Sequence, residues 1–313
     1  MTTPPPVPNT RRRILHAIVL VLSAIVIWAL YRAIKRDGPA ALQAWRDAEV
    51  RWPLIALSTL IGLGGHLIYA YGWQRFLADL KIRVSFWLTC RMYFVSNFGR
   101  YLPGAKAWQM GIIGVMAAEN QLPAAVLAGT SLFQGAIGVG VGALLLFATG
   151  GAALGVAPVW IVLSVLGLAG VLAIPALLNA WPRARAIAIA KLPSIESVNA
   201  KTMWGLVWTT TVSWFAFGVA LYMLAIGLLP TAGASITAYT AAWIGPFLAG
   251  VVSMVSAGLG VREVLMQRLL ESAGVAAGSA LIVVFVARVW ATVLDVVPAV
   301  IVLAIRRSKK PQQ

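Results

Sequence analysis

The chain has 313 residues, of which 60% are hydrophobic and 11% charged, and its formal charge is +16. Soluble domains have about a quarter of their residues charged, so this composition excludes an ordinary water-soluble fold and makes the bilayer the natural solvent. The positive charge does not indicate nucleic acid, because the basic residues lie between apolar runs instead of forming one water-facing patch.

Residues 1–13 read as a Pro-rich cytoplasmic tail, ending in Arg11, Arg12 and Arg13. The run Ile14–Leu30 is a first span that is retained, being too long for a signal-peptide core and without a small-x-small exit. Asp37–Trp52 follows on the outside, as an interfacial helix with Trp45 and Trp52 as anchors. Around Leu54–Tyr71 the second span returns and delivers Arg75, Lys81 and Arg83 to the cytoplasm.

The stretch Val84–Leu122 is less regular, with Arg91, Asn97, Arg100, the break Leu102-Pro103-Gly104, then Lys106, Gln109 and Glu119. Broken backbone cannot face lipid at membrane depth, where each unpaired amide costs several kcal/mol. The stretch therefore predicts a re-entrant helical hairpin entering from the cytoplasm, although two complete short helices would give the same parity. Spans at about Ala124–Thr149 and Pro158–Leu178 lead to the basic loop Trp181–Lys201, and a fifth span covers about Thr202–Leu229. A second broken stretch, Ile236–Ala273, holds Gly245-Pro246 and Gly258-Leu259-Gly260-Val261-Arg262-Glu263. Taken as a hairpin from the outside, it lets the last span, about Gly278–Ile305, finish in the cytoplasm before the tail 307–313.

The expected fold is all-α: a polytopic membrane protein with one transmembrane domain over 14–306, about six transmembrane helices plus two re-entrant helical hairpins. The basic groups at Arg183, Arg185, Lys191 and Lys201 and at Arg306, Arg307, Lys309 and Lys310 place both termini in the cytoplasm of a bacterial inner membrane. The two breaks share a glycine followed two residues later by a cation and then a helix, and they enter from opposite faces. Paired breaks of this kind are the pattern of an inverted repeat with a binding site near the midplane.

Charges at such breaks carry the candidate chemistry. Each Lys, Arg or Asp at a helix centre costs roughly 2.5–3.5 kcal/mol, so it normally faces a cavity or a partner. Arg100, Lys106, Arg262 and Arg288 are cations and Glu263 and Asp295 anions, with Arg288 and Asp295 on one helix face. Even with both anions paired, positive charge is left over. Lys106 and Arg262 fall in the first helical turn after their glycines, where amide donors and a cation suit a phosphate. Arg100 and Arg288 would assist, with Asn97 and Gln109 as neutral partners. The competing explanation is that these charges pair with one another, with Glu119 or with backbone carbonyls, and lock the hairpins.

Other residues read as structure. Gly135, Gly138 and Gly142 provide small steps for helix approach, and Trp28, Trp73, Trp181 and Trp204 form interfacial belts. Cys90 is the only cysteine, and His16 and His66 the only histidines, in no metal-ligand spacing. No metal, cofactor or enzymatic activity is expected.

The segment Asn97-Phe98-Gly99-Arg100-Tyr101-Leu102-Pro103-Gly104-Ala105-Lys106 resembles the N-x-x-R-x-x-P-G signature of the lysylphosphatidylglycerol synthase transmembrane family of flippase-like proteins. Gly258-Leu259-Gly260-Val261-Arg262-Glu263, with Arg288, resembles its second signature, although Ser256-Ala257 stand where the family usually has proline and glycine. The likeness spans roughly Leu54–Ile305, and the sequence in hand carries neither the aminoacyltransferase nor the glycosyltransferase domain that some members have. The resemblance implies the membrane half alone, whose associated role is moving lipids or lipid-linked groups between leaflets; with the charges read above, the expected function is translocation of an anionic polar lipid, a phospholipid or polyprenyl phosphate, with headgroup contacts at Asn97, Arg100, Pro103, Gly104, Lys106, Gln109, Gly258, Gly260, Arg262, Glu263, Arg288 and Asp295. The alternative is a membrane scaffold for a separately encoded glycosyl- or aminoacyl-transferase.

Overall fold

The structure, a computed structural model, describes residues 31–32, 35–46, 48–101, 105–151, 199–230, 232–252 and 260–305, with isolated helical positions between 162 and 180. Every regular element among them is helical. We label them α1 (Trp52–Asp79), α2 (Phe86–Asn97), α3 (Ala105–Glu119), α4 (Ala124–Leu146), α5 (Ala200–Leu228), α6 (Ile236–Val252), α7 (Val261–Ser272) and α8 (Ala277–Ala304). A 3-10 turn, Phe98–Tyr101, continues α2, and a π-helical turn, Phe147–Gly151, continues α4.

Local sequence explains where these helices start. Pro53 sits in the first turn of α1, where its missing N–H costs nothing. Ser85 caps α2 by accepting the Leu88 N–H at 3.2 Å, and Asn199 caps α5 by accepting that of Thr202 at 3.1 Å. α1, α4 with its continuation to Gly150, α5 and α8 run 28, 27, 29 and 28 residues and are apolar enough to cross a membrane. At about 1.5 Å per residue, all exceed the ~30 Å hydrocarbon core. With 12, 15, 17 and 12 residues, α2, α3, α6 and α7 fall short of it.

α1 and α5 form the most extensive helix pair. They are antiparallel: the Arg51 N–H donates to the Gly227 carbonyl at 2.7 Å at one end, and the Thr202 hydroxyl to the Asp79 carboxylate at 2.7 Å at the other. Their backbones approach so closely that a Cβ at Gly72 would collide with Thr209. α4 also runs against α1. The Trp73 indole donates to the Thr130 hydroxyl at 3.0 Å, and the Gln134 amide to the Tyr69 carbonyl at 2.9 Å. α8 completes the long set, with Ala299 and Val302 packed on Ala70 and Phe94.

The short helices form two helix–break–helix units. The first, α2–α3, starts and finishes at the Asp79 end, where Val84, Met116 and Ala117 cluster with Leu77 and Leu127. The end of α2 reaches inward, for the Asn97 amide donates to the Asp295 carboxylate at 3.3 Å. The second, α6–α7, starts and finishes at the Arg51 end, where Tyr239, Leu270 and Val275 cluster with Leu228 and Leu229. Beyond its break, Arg262 comes back over Phe247 of α6. The two units thus enter from opposite ends.

Four of the six expected spans are therefore present within a few residues of their predicted limits, α1 running on to Asp79. Ile14–Leu30 lies outside the described residues, and so does most of Pro158–Leu178. Two structural expectations need correction. Trp73 is buried and hydrogen-bonded, not in a belt, whereas Trp204 is exposed; Trp28 and Trp181 lie outside the described residues. Of the three α4 glycines, Gly142 receives the Trp214 ring, but a Cβ at Gly135 would meet nothing among the described residues.

Residues 35–46 are helical and lay Ala41 and Ala44 on the core at the Arg51 end, with Trp45 and Trp52 exposed. Asp37 is nearly enclosed there, bound by Arg36 at 2.7 Å and by the Gln267 amide at 2.7 Å. The hydrogen bond from Arg36 holds its carboxyl below the usual range, opposed by burial and helped by Gln267. A depressed folded pKa stabilises above the unfolded value of about 3.9 and is lost as pH falls through the folded one. Asp37→Asn is expected to lower the melting temperature at neutral pH, with the gap to wild type closing below about pH 4. A gap that persists unchanged at low pH would show that the carboxylate charge is not what docks this segment.

Candidate headgroup site

A cavity of about 330 Å³ opens among α1, α2, α3, α4, α5, α6, α7 and α8. This size falls in the range of small-molecule sites. Of the predicted site residues, Asn97, Gln109, Arg262, Arg288 and Asp295 line it.

Each is placed by its helix. Gly99 lets the backbone of α3 close on the 3-10 turn, since a Cβ there would lie 2.6 Å from the Gln109 nitrogen. Gln109 then donates to Asn97 at 3.5 Å, and Asn97 to Asp295, so one amide relay ties α3, α2 and α8 together. Across the cavity, Gly260 adopts φ +79°, a left-handed value that favours glycine. Its N–H donates to Glu263, the third residue of α7, in the manner of a capping box. Glu263 also pairs with Arg288 Nε at 3.4 Å, joining α7 to α8. The Arg262 guanidinium stacks 4.9 Å from the Phe247 ring centroid, in a notch left open by Gly250.

Arg100 lies in the 3-10 turn and Lys106 in the first turn of α3, on either side of the first break. Pro103, Gly104 and Gly258 lie outside the described residues. Arg262 and Arg288 are balanced in number by Glu263 and Asp295.

Several wall residues escaped the sequence reading. His66 Nδ1 lies 2.8 Å from the Tyr93 hydroxyl, and its ring meets Phe217 edge-on at 4.7 Å. Gln134, Thr210 and Ser213 add neutral polar groups, and Trp214, Trp243 and Phe247 add aromatic faces. On single apolar helices such residues look like ordinary core, and only their convergence distinguishes them. At Leu132, Val139 and Val251, all more than a third exposed, the wall reaches the outer surface of the protein.

The arrangement sets guanidinium donors and a few neutral polar groups in a mostly apolar lining that reaches the surface at an apolar rim. A family model described as the lysylphosphatidylglycerol synthase TM region matches residues 16–299. The chain belongs to that family. Membership agrees with the long apolar helices in making this a membrane protein, and it ties the chain to membrane lipids. No curated protein matches the chain.

Proposed function

We propose that the protein translocates an anionic polar lipid, a phospholipid or a polyprenyl-phosphate-linked lipid, between the leaflets of a bacterial inner membrane, and that it is not an enzyme. The observation that carries this reading is the cavity itself: it holds charged and neutral polar groups in a mostly apolar lining, is approached by short helices from opposite ends, and is bordered by exposed apolar residues at Leu132, Val139 and Val251. Arg262 and Arg288 supply donors for phosphate oxygens, and the apolar rim leaves acyl or prenyl chains in the bilayer. Arg75, Lys81, Arg83 and Lys201 gather at the Asp79 end, so the positive-inside rule makes that end cytoplasmic. Small rotations of one unit against the long helices would open the cavity to alternate leaflets.

The test is leaflet exchange of fluorescent phosphatidylglycerol or a short polyprenyl phosphate in liposomes holding the purified protein. Gly135→Trp adds bulk at a wall position where a new Cβ touches nothing among the described residues, so it should fold normally. Exchange is expected to accelerate with wild type and to slow by about tenfold or more with the variant, a rise of at least ~1.4 kcal/mol in the barrier. Well-folded wild type that accelerates neither lipid would overturn translocation and favour the scaffold for a separately encoded transferase.

A further inference from the structure

The cavity has a second polar wall that phosphate binding leaves unused. Thr210 is fully buried on α5 and lines the cavity, and its hydroxyl oxygen has no hydrogen-bond partner among the described residues. Such a group is an anomaly within a folded protein, because a threonine in a helix ordinarily bonds the carbonyl three or four residues back. Its neighbours do so: Thr209 donates to the Gly205 carbonyl at 2.9 Å, Thr211 to that of Val207 at 2.8 Å and Ser213 to that of Thr209 at 2.8 Å. A buried hydroxyl left unbonded costs about 1–3 kcal/mol.

Around Thr210 the wall holds matching groups. Ser213 lies one helical turn further along α5 and also lines the cavity, its hydroxyl proton already donated and its oxygen an acceptor. Gln134 of α4 is fixed through its Nε2 on the Tyr69 carbonyl, which leaves its oxygen as the acceptor of the amide. Trp214 is locked by donating its indole N–H to the Gly138 carbonyl at 3.0 Å, so its ring is a rigid apolar face. No charged residue belongs to this wall; it is a patch of hydroxyl, amide and aromatic groups.

This patch and the cation are close. The Arg262 guanidinium carbon is 4.9 Å from the Phe247 centroid, and that centroid is 5.0 Å from the one of Trp214. The cation and the tryptophan are therefore no further apart than those two steps laid end to end.

From this juxtaposition we infer that the cavity selects a headgroup in two parts, a phosphate at Arg262 and Arg288 and, attached to it, a hydroxyl-bearing moiety of glycerol or sugar type at Thr210, Ser213 and Gln134. The inference rests on the lipid reading above and narrows it to polyol or glycosyl phosphate lipids, against bare phosphates. Hydroxyls suit the wall because each both donates and accepts, and the aromatic faces suit the apolar C–H surface of a polyol. Discrimination of this kind is strong where a site is built to bond a hydroxyl, since an analogue without it leaves the site's polar groups unpaired.

The experiment reads binding and not movement. Full-length protein in detergent is titrated with dioleoyl phosphatidylglycerol and with dioleoyl phosphatidic acid, and affinity is taken from the rise in melting temperature. Wild type is expected to bind phosphatidylglycerol more tightly, and Thr210→Val to erase roughly three- to tenfold of that preference while leaving phosphatidic acid binding unchanged. Valine is close in shape and removes an unbonded hydroxyl, so the variant should be no less stable; Ser213→Ala provides a second variant with the same expected direction. Equal binding of the two lipids, both weakened by Arg262→Ala and neither by Thr210→Val, would overturn the polyol subsite and leave the phosphate site standing. Binding of neither lipid, or binding indifferent to Arg262→Ala, would overturn both.

Discussion

Arg262→Ala should slow leaflet exchange of an anionic lipid by roughly ten- to a hundredfold, because a hydrogen bond to a charged group contributes about 1.5–3 kcal/mol and each ~1.4 kcal/mol is a factor of ten. The cost to the fold should be much smaller. The guanidinium stacks on Phe247, an interaction of roughly 0.5–1 kcal/mol at partly exposed sites, and its notch at Gly250 can close. Arg262→Lys should fall between, keeping the charge but losing the planar fork. Exchange rates in liposomes, set against melting temperatures for the same preparations, separate the two roles. A variant that melts far lower yet exchanges normally per folded molecule would assign Arg262 to structure.

Glu263→Ala should have the opposite profile, with a large loss of folded protein. Its carboxylate accepts the Gly260 N–H and pairs with Arg288, and the side chain is buried. Removing one partner of a buried pair costs on the order of 3–5 kcal/mol, because the other charge is left uncompensated. Glu263→Gln keeps an acceptor for Gly260 and should recover part of the loss. Combining Glu263→Ala with Arg288→Leu should recover more than the alanine variant alone. Detergent-solubilised yield and melting temperature measure all three; an additive double variant would show that the pair is not coupled.

The sequence carried the long helices because their signal is length. A run of apolar residues near twenty is set by the thickness of the bilayer, and α1, α4, α5 and α8 are found within a few residues of their runs. It carried the two units for a related reason. Charges and a break such as Leu102-Pro103-Gly104 are too costly to face lipid, so they announce protected backbone. The direction of each unit followed from counting spans; in the structure the Asn97 amide reaches Asp295 and Arg262 lies over Phe247.

The site was legible where its residues are expensive, or where neutral ones such as Asn97 and Gln109 stand beside a break in the sequence. Arg262, Arg288 and Asp295 stand out on apolar helices, and all three line the cavity. Thr210, Ser213, Gln134, Tyr93 and His66 do not stand out, because single neutral polar residues are common in membrane helices and gain meaning only when four helices bring them to one wall. Trp73 misled for the same reason. Near a span end it looks like a belt residue, and only the Thr130 hydroxyl on the neighbouring helix shows that it faces inward. Gly135 misled in the other direction, since its spacing with Gly138 and Gly142 fits helix contact while a Cβ at its own position would meet nothing among the described residues.

The hydrogen bond between Asn97 and Asp295 joins residues 198 positions apart. During synthesis the first broken unit is complete long before its partner on α8 leaves the ribosome, so for most of translation its polar turn lacks that contact. Shielding must come meanwhile from the insertion machinery or from water at the membrane surface. The last helix is thus the keystone of assembly. A chain stopped before α8 would expose a polar turn to lipid, and quality-control proteases that sample unpaired polar groups in the bilayer would have a ready means of telling finished copies from unfinished ones.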